Sequence, residues 1–164
     1  MKISIIGGGI GGLTLALMLK ARGITVQVFE SAAQVRPLGV GINVQPSAIV
    51  ELAALGLLPQ LDGLGVRTAE VCYFNRHGQR IWSEPRGLAA GYRVPQFSIH
   101  RGELQMLMWD TAMARLGPDR MFRGHALERF EQDAEGVTAH FVSRSIGPSA
   151  VHVPARICQN RFSV

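Results

Sequence analysis

Three glycines and one carboxylate are the residues whose spacing could do chemistry. Gly7, Gly9 and Gly12 form a G-x-G-x-x-G run at the head of IIGGGIGGLTLALMLKARGITVQVFE, and that stretch ends in Glu30. Glycine lets another group come close to the main chain and adopts turns closed to other residues. In this order Gly7 permits a tight turn, Gly9 lets a pyrophosphate meet the backbone, and Gly12 lets a helix pack closely on a strand. The N–H groups and dipole at the start of such a helix attract phosphate. An acid at the end of the following strand accepts hydrogen bonds from ribose hydroxyls and repels a 2′-phosphate. The pattern reads as a seat for FAD or NAD rather than NADP. A glycine-rich turn with no ligand is the plainer alternative, and it leaves the terminal acid unexplained.

To bring these groups together the segment must run strand, turn, helix, strand. Lys2–Ile6 reads as a short buried strand and Ile10–Arg22 as a helix. Thr25–Phe29 follows as a β-branched strand after a turn at Gly23. No charge falls between Lys2 and Lys20, as in a signal peptide or a short membrane span. The glycine cluster would weaken one continuous helix, so the run divides in two, and no targeting segment or membrane partner is expected. Further on, 71–75 and 80–83 flank the turn 76–79 as a hairpin, and 127–130 with 137–142 form another strand pair. A helix over residues 101–116 buries Leu104, Leu107, Met108 and Leu116.

Composition bounds the rest. The chain has 164 residues, 47% of them hydrophobic and 18% charged, which fits one globular domain with a real core. Cys72 and Cys158 match no metal or disulfide spacing, so a reducing compartment, the cytoplasm, is expected. Much of the net charge of +5 comes from Arg144, Arg156 and Arg161, beyond the last acid, Glu135. No basic stripe interleaved with aromatics accompanies them, so nucleic acid is not an expected partner. None of the histidines, His77, His100, His125, His140 and His152, joins a nucleophile motif or a metal spacing, so no catalytic side chain and no metal ligand is assigned.

Beyond Glu30 the sequence resembles a known family. Glu30, Arg36, Gly39-Val40-Gly41-Ile42, Pro46-Ser47-Ala48 and Leu55-Gly56-Leu57 follow one another as in the class A flavoprotein monooxygenases, the single-component aromatic hydroxylases. The family often has Asn where this chain has Ser47. RPLGVGIN and SIHRGELQM are most similar to the family's phenazine-carboxylate hydroxylases. The resemblance covers roughly residues 1–144 and implies FAD as cofactor, NAD(P)H as co-substrate, O2 as oxidant and a small aromatic or heteroaromatic acid as substrate. It implies cofactor contacts at Gly7, Gly9, Ile10, Gly11, Gly12, Glu30, Ser31, Arg36, Gly41, Asn43, Arg101, Gln105 and Ala126. Arg101 at a helix start opposes the helix dipole, so it is either solvated or paired with an anion; the resemblance favours the anion. For Arg36, an exposed loop arginine is the alternative.

The fold class expected is α/β: a Rossmann-like βαβ unit with added antiparallel strands. Residues 1–144 would be the N-terminal part of an FAD-binding domain, with 66–100 starting a substrate-side sheet. From Ser145 the run SIGPSAVHVPARICQNRFSV has two prolines and no acid, and it reads as a divergent, disordered tail. The family's later Asp-Gly and Gly-Asp motifs are not found there, and Asp62-Gly63 is expected in a loop after a helix over 47–58. The chain alone is therefore expected to hold flavin only weakly, by its adenine half, to tend to aggregate, and to hydroxylate nothing. A non-catalytic remnant of such an enzyme is the alternative function, and a small NAD-linked dehydrogenase is a third.

Overall fold

The computed structural model describes residues 2–37, 39–134, 136–143 and 147–153. In chain order the elements are β1 (Lys2–Ile6), α1 (Ile10–Ala21), β2 (Thr25–Glu30), β3 (Gly41–Val44), α2 (Pro46–Ala54) and α3 (Leu58–Leu64). Then come β4 (Val66–Thr68), β5 (Glu70–Phe74), β6 (Arg80–Pro85), β7 (Gln96–His100) and α4 (Arg101–Leu116). The last are β8 (Met121–Arg123), β9 (Ala126–Gln132), β10 (Val137–Ser143) and β11 (Gly147–Val153). They divide into two compact units, one made of the residues up to Val35 with those from Met108 on, the other of Arg36–Leu107. No helix among the described residues is long and apolar enough to cross a membrane.

The first unit contains the expected βαβ crossover. β1 and β2 pair in parallel, with Lys2 opposite Thr25 and Ile6 opposite Phe29, and α1 connects them. β8 joins the other edge of β2 in parallel, so the sheet order is β1-β2-β8. As the middle strand, β2 is buried from Val26 to Phe29, the near-continuous burial typical of a parallel sheet. Leu13, Ala16 and Leu17 of α1 are buried, an i, i+3, i+4 stripe. A second sheet, β11-β10-β9, is antiparallel. Phe29 stacks between Phe122 of β8, at 4.8 Å between ring centroids, and Phe141 of β10, at 4.5 Å. That stack joins the two sheets.

β11 corrects the expectation of a structureless tail from Ser145. Val137 to Ser143 pair with Val153 to Gly147 in one uninterrupted antiparallel register. Among the described residues β11 pairs with β10 on one side only, and a strand in that position accommodates Pro148, which has no N–H to donate. The part of the expected tail from Pro154 on lies outside the described residues.

In the second unit β7 is flanked by β3 and β4, both antiparallel to it. β5 and β6 form the expected hairpin, its turn closed by Asn75 Oδ1, which accepts from the His77 N–H at 2.9 Å and the Gln79 N–H at 3.0 Å. The helix expected over 47–58 is two helices. α2 stops at Ala54, where Gly56 takes φ +76°. The Gly56 N–H then donates to Ala53 O at 2.8 Å and the Leu57 N–H to Leu52 O at 3.0 Å, a paired-bond helix stop. α3 follows, with Pro59 in its first turn. Asp62-Gly63 therefore lies inside a helix rather than a loop. Asp62 is held below the usual carboxylate range by the Arg67 guanidinium, which donates to both of its oxygens at 2.6 and 2.7 Å.

Candidate functional site

The glycine turn is built as its sequence requires. The Gly7 N–H donates to Phe29 O at 2.7 Å, which ties the turn to β2, and Gly7 itself takes φ +107°, a conformation that favours glycine. Gly9 is the N-cap of α1 and provides no side-chain cap for the first turn. A Cβ on Gly12 would run into the Gly7 carbonyl oxygen, so the helix lies as close to the strand end as glycine allows. Cβ atoms on Gly9 and Gly11 would instead meet nothing within 4 Å. The turn is thus closed on its protein side and open where a pyrophosphate would approach, and these residues fit a dinucleotide.

Glu30 stands beside that opening with its carboxylate fixed. Its Oε2 accepts the Gly8 N–H at 2.7 Å; its Oε1 accepts the Ala32 N–H at 2.7 Å and the Ser31 hydroxyl at 3.1 Å. A carboxylate has about four acceptor positions. Beyond the Gly8 N–H, Oε2 has acceptor capacity to spare, and the Ser31 hydroxyl can rotate off Oε1 to release another position. The segment after β8 closes against the same place: the Gly124 N–H donates to Ala32 O at 3.1 Å and the His125 N–H to Glu30 O at 2.9 Å. Ala126, next in sequence and exposed, is thereby brought to the Glu30 end of the turn. His125 is structural, its Nδ1 2.8 Å from Arg123 O and its ring edge-on to Phe29, Phe122 and Phe141.

In the second unit β3 pairs with β7 so that Gly41 lies opposite His100 and Asn43 opposite Ser98. The Arg101 N–H donates to Val40 O at 3.1 Å, and His100 Nε2 lies 3.0 Å from Gly39 O. Gly41 and Arg101 are therefore neighbours, and Arg101 opens α4 with its side chain exposed. Asn43 Oδ1 accepts the Ser98 hydroxyl at 2.6 Å, and Ser98 Oγ lies 2.8 Å from Thr68 Oγ1, a polar ladder across three strands. Gln105 is half-buried one turn into α4, and Arg36 is exposed at the start of this unit. No group of three or more His, Cys, Asp or Glu among the described residues could hold a metal ion.

Two features of α4 depart from the sequence reading. Leu104 and Met108 are buried as expected, but Leu107 and Leu116 are only half-buried. Trp109 and Ala112 are buried instead. The stripe Leu104, Met108, Ala112 has the i, i+4, i+8 spacing that could have located it. Trp109 is adjacent to the stripe, and its partners, Gly8 and Arg123, are distant in sequence.

An open glycine turn, a helix start without a side-chain cap and a fixed strand-end acid are the features of a dinucleotide-binding protein. The chain matches the FAD binding domain family over residues 1–154 and belongs to that family, whose cofactor is FAD. The match runs past the 144 residues that the motifs carried and takes in β11. The chain is 50% identical over 154 residues to phenazine 1,6-dicarboxylic acid hydroxylase of Lysobacter antibioticus, covering 93% of this chain and 38% of that one. It is 33% identical over 138 residues to aurachin C monooxygenase/isomerase of Stigmatella aurantiaca, covering 84% and 35%. Among solved structures it resembles Klebsiella pneumoniae HpxO complexed with FAD and uric acid, at 30% identity and TM-score 0.73 over 93% of this chain and 37% of that one. p-Nitrophenol 4-monooxygenase of Pseudomonas putida shares the fold, with TM-score 0.81 at 22% identity over 93% and 38%. The chain corresponds to the N-terminal portion of such flavin monooxygenases and spans little more than a third of their length.

Proposed function

We propose that this chain is the dinucleotide seat of a monooxygenase that hydroxylates an aromatic or heteroaromatic acid with NAD(P)H and O2. The observation that carries the reading is the open glycine turn beside a carboxylate that three local donors hold in place. Gly7, Gly9, Ile10, Gly11 and Gly12 would hold the pyrophosphate at the start of α1. Glu30, with Ser31, would take the adenosine ribose, and backbone at Ala126 would border the adenine. Arg36, Gly41, Asn43, Arg101 and Gln105 are the further cofactor contacts that family likeness assigns, Arg101 as the cation toward a cofactor anion. FAD, when bound, would supply the redox chemistry between NAD(P)H and O2. The protein's own part here is to bind and orient.

The relative named for phenazine 1,6-dicarboxylic acid makes a fused-ring carboxylate the first substrate class to try on a protein that includes this segment. The chain alone, spanning 38% of that relative, is proposed to bind without hydroxylating. Titration of the purified chain with FAD, NADH and FMN, followed by flavin or nicotinamide fluorescence, tests the seat. FAD binding well above that of FMN, which lacks adenosine, is expected. Equal affinity for the two would overturn the assignment of the glycine turn and Glu30. Hydroxylated product from phenazine carboxylates with the 164-residue chain alone would overturn the second part.

A further inference from the structure

We infer that Trp109 is the positioning residue of the adenosine end of this seat, its indole holding the Gly8 peptide against Glu30 and so fixing the carboxylate that meets the ribose. The inference rests on the dinucleotide reading of the glycine turn. Gly8 is not one of the G-x-G-x-x-G glycines, and its φ is not positive, so neither phosphate approach nor backbone conformation explains a glycine there. Packing does. A Cβ on Gly8 would lie 2.6 Å from Trp109 Cζ3, 3.1 Å from Glu30 Oε2 and 3.2 Å from Glu30 Cβ. Separations under 3.0 Å essentially do not occur for real Cβ atoms, so the indole edge occupies the space a side chain would need. The same residue donates its N–H to Glu30 Oε2 at 2.7 Å. Indole edge, Gly8 peptide and carboxylate therefore interlock.

The sheet explains why Trp109 is aimed there. Successive strand residues point to opposite faces, so the stacked pair Phe29 and Phe122 occupies one face of β2 and β8. The next pair in register, Glu30 and Arg123, occupies the other. The Arg123 guanidinium carbon lies 6.0 Å from the centre of the Trp109 ring, at the outer limit of a cation–π contact. With 3% of its surface exposed, Trp109 has little room to move. A rigid buried ring costs little further entropy to hold, which suits a group that preorganises an acid for a ligand.

The test begins without ligand. Amide hydrogen exchange is measured by NMR at Gly8 and Ala32, the two N–H donors to Glu30, in the wild type and in Trp109→Leu. Exchange at both should accelerate by about tenfold or more, the scale of losing a charge-assisted hydrogen bond. FAD affinity of the variant should fall by about tenfold on the same reasoning while FMN affinity stays constant. Leu104→Ala, another buried truncation on α4, should lower the melting temperature without moving the FAD-to-FMN ratio. Gly8→Ala should weaken FAD binding in the wild type and cost less in the Trp109→Leu background, where the shortest contact, that with the indole, is gone and only the looser ones to Glu30 remain. Should Trp109→Leu not fold, Trp109→Phe makes the same comparison, since it keeps a ring but lacks the outer edge that meets Gly8. Unchanged exchange at Gly8 and Ala32, or a Gly8→Ala defect equal in both backgrounds, would overturn the inference. A wild type that does not bind FAD would overturn the dinucleotide reading instead, with the exchange data still deciding the role of Trp109.

Discussion

Phe29 and Trp82 are both strand aromatics with an aromatic partner directly across the ladder, yet their surroundings are opposite. Phe29 faces Phe122 in register and is 2% exposed, because Phe141 of the second sheet covers it. Trp82 faces Tyr73 in register at 5.6 Å, and both remain about half exposed, at 47% and 58%. Phe74 and Ile81 of the same hairpin are exposed as well. Cross-strand pairing thus operates in both places, and the difference lies in whether a further layer covers the pair. Covered, the aromatic pair anchors the wall on which Glu30 sits, one residue beyond Phe29. Uncovered, it leaves a two-stranded ribbon, a form marginally stable in isolation.

Substitutions can break or sharpen this contrast. The largest effect expected is on binding: Gly9→Val should abolish FAD binding while the circular dichroism spectrum and melting temperature stay near wild type, because the added side chain fills only the open side of the turn. A normal FAD titration of that variant would refute the assigned phosphate position. Next, Phe29→Ala should cost about 3–5 kcal/mol of stability, the usual range for a buried phenylalanine. Chemical denaturation measures it, and a loss below about 1 kcal/mol would mean that the stack does not join the sheets.

Glu30→Ala should weaken FAD binding by about 1–3 kcal/mol, the worth of charge-assisted hydrogen bonds. Part of that loss is structural, since Gly8, Ser31 and Ala32 lose their acceptor. Glu30→Gln keeps one acceptor oxygen and should fall between Ala and wild type in calorimetric titration. The smallest effect belongs to the hairpin: Trp82→Ser should change stability by less than about 0.5 kcal/mol, as for an ordinary surface position. A cost near that of Phe29→Ala would show that the ribbon is covered in solution and erase the contrast.

How far the sequence disclosed all this depended on how local each requirement was. The glycine turn and Glu30 could be read because their demands are met within one βαβ unit by backbone conformation and alternation. The hairpin at Asn75–Gln79 was legible for the same reason. Trp109 was not, because its place depends on Gly8 and Arg123, which only the folded chain brings to it. The stop at Ala54 was hidden inside Leu55-Gly56-Leu57, which matches a family pattern and also spells a helix stop. β11 was obscured by Pro148, a residue that argues against a central strand but not against an outer one. The proposed role of Arg101 rests on family likeness, since an exposed arginine at a helix start has no local signature of its own.

The division of the chain at Val35 and Met108 also sets an order of assembly. β1, α1 and β2 are contiguous, so the crossover and its glycine turn can form as soon as Glu30 has been synthesised. The pairing of Val28 with Met121 cannot, because the whole of Arg36–Leu107 must first be made and its ends drawn together. Closing so long a loop carries an entropic penalty, and contacts that wait on it form slowly. A nascent chain would therefore hold the glycine turn with Glu30 in place, but without the Gly124–His125 segment beside it, until β8 and the residues after it emerge.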